Sequence, residues 1–191
     1  MVAFGAVAWS WGWLQAGVMP EGVNDQVEIW MSGLFQIGLI ALLAVMRATD
    51  ATGTTRFGRF VLNAEVVAVA LAMAWTIPFL FDANRPNTGI LVVLDAFWPL
   101  SMVGLVVVGI VVARAGRWPS PARYLPLAAS LLIPVDIALM AAGLGLEAQN
   151  VVRSAYLTLA YAALGVAIIR QVAPLAERHQ PDPEPVGATI G

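Results

Sequence analysis

The sequence predicts an all-α integral membrane bundle of six transmembrane helices, or five if the first segment is peripheral, with both termini cytoplasmic. Three observations predict it. Of 191 residues, 60% are hydrophobic and only 12% are charged, against about 45–50% and about 25% in soluble domains. A water-soluble fold of this length would lack the polar side chains to cover its surface. Six apolar runs reach or approach the ~20 residues that a span requires, and the arginines gather in alternate breaks between them.

The first run, 1–19, is apolar but opens at Met1 with no flanking charge to anchor its cytoplasmic end, so a start upstream of Met1 is expected. Trp9, Trp11 and Trp13 alternate within it, and a helix spreads such residues over two faces. A polar break at 20–25 leads to the second run, 29–46. The Arg-bearing break 47–59 precedes the third, 60–81. Asp82 to Asn87 separate that from the fourth, 90–113, and the break 114–123 leads to the fifth, 124–146. Glu147, Gln149 and Asn150 precede the sixth, 154–172. Residues 1–172 therefore form the bundle, with short loops that make sequential helices antiparallel neighbours. Residues 173–191, with Pro181, Pro183 and Pro185 among acids, read as a disordered cytoplasmic tail.

Arginine position orients the chain. With six spans, Arg47, Arg56, Arg59, Arg114, Arg117, Arg123, Arg170 and Arg178 share one side, and only Arg85 and Arg153 lie on the other. The positive-inside rule makes the richer side cytoplasmic. Eight of ten on one side is the internal agreement that supports multi-pass insertion in a bacterial plasma membrane.

Composition removes several chemistries. There is no Cys, so no thiol nucleophile and no Cys-type metal centre within the chain. The single histidine, His179, lies in the tail, which removes a Ser–His pair and bis-His haem from the membrane. All ten basic residues are Arg, so a lysine Schiff base is excluded. No acidic pair of the DDxxD kind is present to hold magnesium and a diphosphate. Net charge is −2, and no basic patch suggests nucleic acid as a partner. No positive n-region marks a secretory signal peptide. No cofactor is expected. The partners expected are the lipid bilayer, other membrane subunits and a small amphipathic ligand.

Three acids fall within spans: Glu65, Asp95 and Asp136. A central charge costs ~2.5–3.5 kcal/mol on insertion scales, while each Leu, Ile, Val or Phe gains ~0.3–0.6. Run 90–113 has fifteen such residues and tolerates Asp95, whereas run 124–146 has ten and is marginal around Asp136. Glu65 is expected to snorkel toward Arg56 or Arg59, or to pair with Asn63. Asp95 and Asp136 lie about 8 Å and about 15 Å from the outer ends of consecutive runs. Pro78, Pro99 and Pro134 free the carbonyls of Ala74, Asp95 and Ser130, because proline has no N–H to give the residue four earlier. Trp75 and Trp98 share the depth of the first two, Gln36 is comparable, and Arg153 is a counter-ion for Asp136 or Asp95.

These residues define the candidate site. It is an outward-facing pocket lined by Asp95, Asp136, Trp75, Trp98, Gln36 and Arg153, suited to a cationic or amphipathic molecule through carboxylate pairing and aromatic stacking. The competing reading makes each polar residue a bridge to a neighbouring helix and each Trp an interface marker. The contexts of Asp95 and Asp136 lack the GxGD setting of intramembrane aspartyl proteases.

The run Asp95-Ala96-Phe97-Trp98-Pro99-Leu100-Ser101-Met102, continuing to Gly116-Arg117-Trp118-Pro119, resembles a stretch of uncharacterised multi-pass membrane proteins of high-GC bacteria. The resemblance implies a small bundle without cofactors and no particular activity. Independently of the resemblance, the function expected from the residues is non-catalytic: an accessory or scaffold subunit, or a binder of a small lipophilic or cationic ligand. The alternative is a small proton-coupled transporter using Asp95 and Asp136. A lipid-modifying enzyme is the weakest class, because only carboxylates and hydroxyls remain as reactive groups.

Overall fold

The computed structural model describes residues 1–15 and 23–177. The molecule is 81% helical, with no strand among the described residues. The helices are α1 (Val2–Leu14), α2 (Val23–Ala48), α3 (Arg56–Phe79), α4 (Ile90–Asp95), α5 (Phe97–Ala115), α6 (Leu125–Ser130), α7 (Leu132–Ala141) and α8 (Leu146–Glu177). A single 3-10 turn, Ala122–Tyr124, leads into α6.

Local chemistry explains several ends. Asp25 in the first turn of α2 and Arg47 in its last complement the helix dipole. Thr55 caps α3 by accepting a hydrogen bond from the Gly58 amide at 3.1 Å. Gly116 closes α5 at φ 62°, a left-handed conformation that glycine adopts without a Cβ penalty. Two prolines decide where apolar runs break. Pro99 cannot donate to the Asp95 carbonyl, and α4 ends at Asp95. Pro134 cannot donate to Ser130, and α6 ends there, with α7 departing at 48°. Pro78 sits in the last turn of α3, where it does not break the helix.

Four helical stretches are long and apolar enough to cross a membrane: Asp25–Ala48, Arg56–Phe79, Ile90–Ala115 and Leu146–Arg170. The bent α6–α7 pair makes a fifth if it is one span. The sequence predicts six. The difference lies in α1, whose 13 residues extend about 20 Å, less than the ~30 Å hydrocarbon core. The expected first run also includes 16–19, outside the described residues. Boundaries move as well. α2 begins six residues before the expected 29, and α8 begins at Leu146 because Glu147 to Asn150 form its first turn and not a loop. α8 also continues to Glu177, five residues into the stretch expected to be a disordered tail. The rest of that stretch, 178–191, lies outside the described residues.

The rods pack as a ring in sequence order: α1 on α2, α2 on α3, α3 on α5, α5 on α6, and α6 and α7 on α8, which returns to α1. Neighbours run antiparallel, as short connections dictate. Ser10 and Ser154 exchange hydrogen bonds of 3.1 Å between α1 and α8, while Trp13 meets Asn150 one turn away. The sequence contains no strict GxxxG seam in its spans, yet single glycines set the closest approaches. A Cβ on Gly109 would lie 2.5 Å from Leu127 Cα, so α5 and α6 touch backbone to backbone. A Cβ on Gly38 of α2 would lie 2.9 Å from Val2 Cα of α1.

The two Arg-bearing connections meet at one end of the ring, where the Trp118 indole donates to Thr49 Oγ1 at 3.1 Å. At the opposite end, Gln26 of α2 donates to the Phe79 and Leu80 carbonyls and accepts from the Ala83 amide. One side chain thus satisfies backbone groups left open where α3 ends.

Candidate functional site

The Arg-poor end holds a cavity of about 530 Å³ between the start of α2, the end of α3, the α3–α4 connection and the α4–α5 break. Four sequence-predicted residues line it: Gln36, Trp75, Asp95 and Trp98. The other two, Asp136 and Arg153, do not. They form an ion pair at 2.8 Å between α7 and α8.

Asp95 reaches the cavity because α4 ends on it and the chain turns at Ala96. Its Oδ2 accepts from Asn87 Nδ2 at 3.0 Å, and Asn87 Oδ1 accepts from the Trp75 indole at 3.2 Å. This three-residue chain fixes the carboxylate against an indole on another helix. Trp75 stacks on Phe79 with centroids 4.4 Å apart. Gln36, 2% exposed, accepts from Thr76 Oγ1 at 3.0 Å, so its carbonyl side is occupied within the α2–α3 contact.

The floor is aromatic. Trp9 of α1 stacks on Phe35 at 4.9 Å and meets Trp98 edge-on at 5.4 Å, and Phe35 packs edge-on against Tyr161 of α8. The alternating tryptophans divide as helical spacing requires: Trp9 and Trp13 are buried, and Trp11 is 44% exposed. Trp9 Nε1 is buried and has no hydrogen-bond partner among the described residues. Asp25, Glu28 and Arg85 complete the charged lining. Three carboxylates against one guanidinium leave a formal charge of −2 on the walls, and none is in an ion pair among the described residues. An anionic, aromatic-walled cavity attracts a cation that carries apolar surface.

Sequence reasoning missed Trp9, Asp25, Glu28 and Asn87. Asn87 lies in a polar break, and only its placement between Trp75 and Asp95 gives it a role. Asp25 and Glu28 both precede the expected second run and so read as outer-loop acids; α2 starts earlier, at Val23, and both line the cavity.

Arg153 settles Asp136 elsewhere. Its guanidinium also stacks 5.0 Å above the Trp13 ring and reaches Asn150 Oδ1 at 3.5 Å. The cluster ties α1, α7 and α8 together. Glu65 also departs from expectation. Asn63 is taken by Arg47 of α2, and Glu65 is buried against α5 without an ion-pair partner among the described residues.

No protein-family model, no curated protein and no solved structure matches the chain.

Proposed function

We propose that the protein is a non-catalytic multi-pass protein of a bacterial plasma membrane, with both termini cytoplasmic, that binds a small cationic, amphipathic molecule in the Arg-poor cavity. The single observation that carries the reading is the lining itself: Asp25, Glu28 and Asp95 stand with Trp9, Trp75 and Trp98 around one space. Supporting the orientation, the Trp118–Thr49 hydrogen bond gathers the two Arg-bearing connections at the opposite end, which the positive-inside rule makes cytoplasmic. The cavity then opens outward. Kinship with multi-pass proteins of high-GC bacteria, carried by the run from Asp95 to Pro119, belongs to the same proposal.

Benzyltrimethylammonium tests it, with neopentylbenzene as the neutral isostere, by calorimetry or tryptophan quenching on protein in lipid nanodiscs. The ammonium binds and the isostere does not. Asp95→Asn weakens the ammonium roughly tenfold, the loss of one charge-assisted contact. Equal binding of both probes, or no effect at Asp95, overturns the reading.

A further inference from the structure

Glu65 is the tenth residue of α3, so it lies about 13–14 Å along the helix from Arg56. That is deeper than the expected start of the run implied, because α3 begins four residues earlier. The residue is 3% exposed, and Oε1 has no hydrogen-bond partner among the described residues. On its other side Oε2 rests on Gly104 of α5, so closely that a Cβ there would overlap it. The neighbouring groove, about 310 Å³, is walled by Phe60, Val61, Leu100, Val103 and Val107, none of which can donate a hydrogen bond from its side chain.

A bare carboxylate at this depth costs ~2.5–3.5 kcal/mol or more. Three things can balance it: a cation, a metal ion or a proton. Among the described residues the ion pair present is Arg153–Asp136, and no group of three ligand-type side chains stands together to hold a metal. The charged and titratable neighbours are accounted for. From α2, Arg47 donates to Asn63. From α4, Asp95 is engaged by Asn87. From α5, Leu100, Val103, Gly104 and Val107 carry no titratable group. From α8, the buried Tyr161 carries no positive charge to offer. Arg56 and Arg59, on α3 itself, are exposed at its start.

We propose that Glu65, seated on Gly104 at the α3–α5 contact, is a proton-binding site within the span. The groove beside the carboxyl is apolar and brings neither a cation nor further ligands for a metal ion, which leaves the proton. Losing it places a charge in a helix contact that has no room for a methyl group, so proton occupancy and α3–α5 packing are coupled. The site is separate from the aromatic cavity, and it moves the titrating role from Asp95 and Asp136 to a residue that neither hydrogen bonds nor an ion pair satisfy.

The test is pH-difference infrared spectroscopy on the full chain in lipid nanodiscs. The wild type shows a carboxylic-acid C=O band that Glu65→Gln abolishes. Glu65→Asp shifts the band, and so does Gly104→Ala, by displacing the carboxyl. If Glu65→Gln does not assemble, the last two variants carry the test, since each keeps an acid at position 65 and moves its carboxyl relative to Gly104. Spectra of wild type and Glu65→Gln that superimpose, or a band unmoved in both remaining variants, overturn the proposal.

Discussion

The two interrupted rods, α4–α5 and α6–α7, are built from the same ingredients and end differently. Each has a proline three residues past its break, and each carries an aspartate within four residues of that proline: Asp95 before Pro99, Asp136 after Pro134. In the first, the acid has an asparagine for a partner and faces an open space. In the second, Arg153 comes across from α8, pairs with it and stacks on Trp13. The broken backbone is therefore not what makes an intramembrane acid a binding group. What decides is whether a neighbouring helix brings a cation to the same depth. α8 does so because it begins at Leu146, which puts Arg153 two turns inside the helix; no arginine stands on α3 opposite Asp95.

Breaking the pair tests the comparison most severely. Arg153→Ala leaves Asp136 without its cation, and Asp136→Asn leaves Arg153 unpaired. The side chains are 18% and 27% exposed, so the penalty lies below that of a fully buried pair, about 1–3 kcal/mol for either single change. Thermal unfolding in detergent reads it. The double variant Arg153→Met with Asp136→Leu lies closer to wild type than the two losses summed, since no orphaned charge remains. Additive losses would mean that the pair is not a unit. Asp95→Asn, by contrast, changes stability by less than about 1 kcal/mol, because its Asn87 contact survives and no buried cation is stranded. Its effect falls on cation binding.

How much of this could be read beforehand follows from what sets each feature. The prolines act on their own backbone, so the carbonyls freed at Asp95 and Ser130 were legible, but the runs 90–113 and 124–146 read as unbroken helices, and nothing local told Pro99 and Pro134, which end a helix, from Pro78, which does not. Hydropathy is a sum over a run, so the four long stretches were legible, and helical spacing separated Trp9 and Trp13 from Trp11. Partner choice was not legible. Arg153 served equally well for Asp95 or Asp136 until the ring order placed α7, and not α4, against α8. Asn63 is only two residues from Glu65 in sequence, but i,i+2 positions on a helix do not face each other, and Arg47 of α2 claims it. Gly104 carries no sequence signal as the seat of a carboxyl, since its role lies in what approaches it from another helix. For the same reason Gln26, which closes the end of α3, reads in sequence only as a polar residue near a helix start.

The Trp75–Asn87–Asp95 chain sharpens the first half of the comparison at smaller cost. Trp75→Phe removes one indole donor and retains most of the stack on Phe79. The expected loss is about 0.5–1.5 kcal/mol, read as a lower unfolding temperature. Asn87→Ala loses both contacts and loosens Asp95, so it weakens cation binding more than Trp75→Phe does. The reverse order would mean that Asn87 is a bystander.

The smallest effect concerns the break itself. Pro134→Ala returns an N–H that can reach the Ser130 carbonyl and removes the ring that crowds that turn. If the 48° bend between α6 and α7 were held by the proline alone, the rod would straighten. Spin labels at Tyr124 and Met140, both exposed, would then separate by about 2 Å more than in the parent, from the helical rise on either arm. The expected outcome is a smaller lengthening, because the Asp136–Arg153 pair holds α7 against α8 whatever residue stands at 134. Adding Arg153→Met to Pro134→Ala releases the remainder. A full straightening in the single variant would instead assign the bend wholly to the proline and leave the ion pair no part in setting the angle.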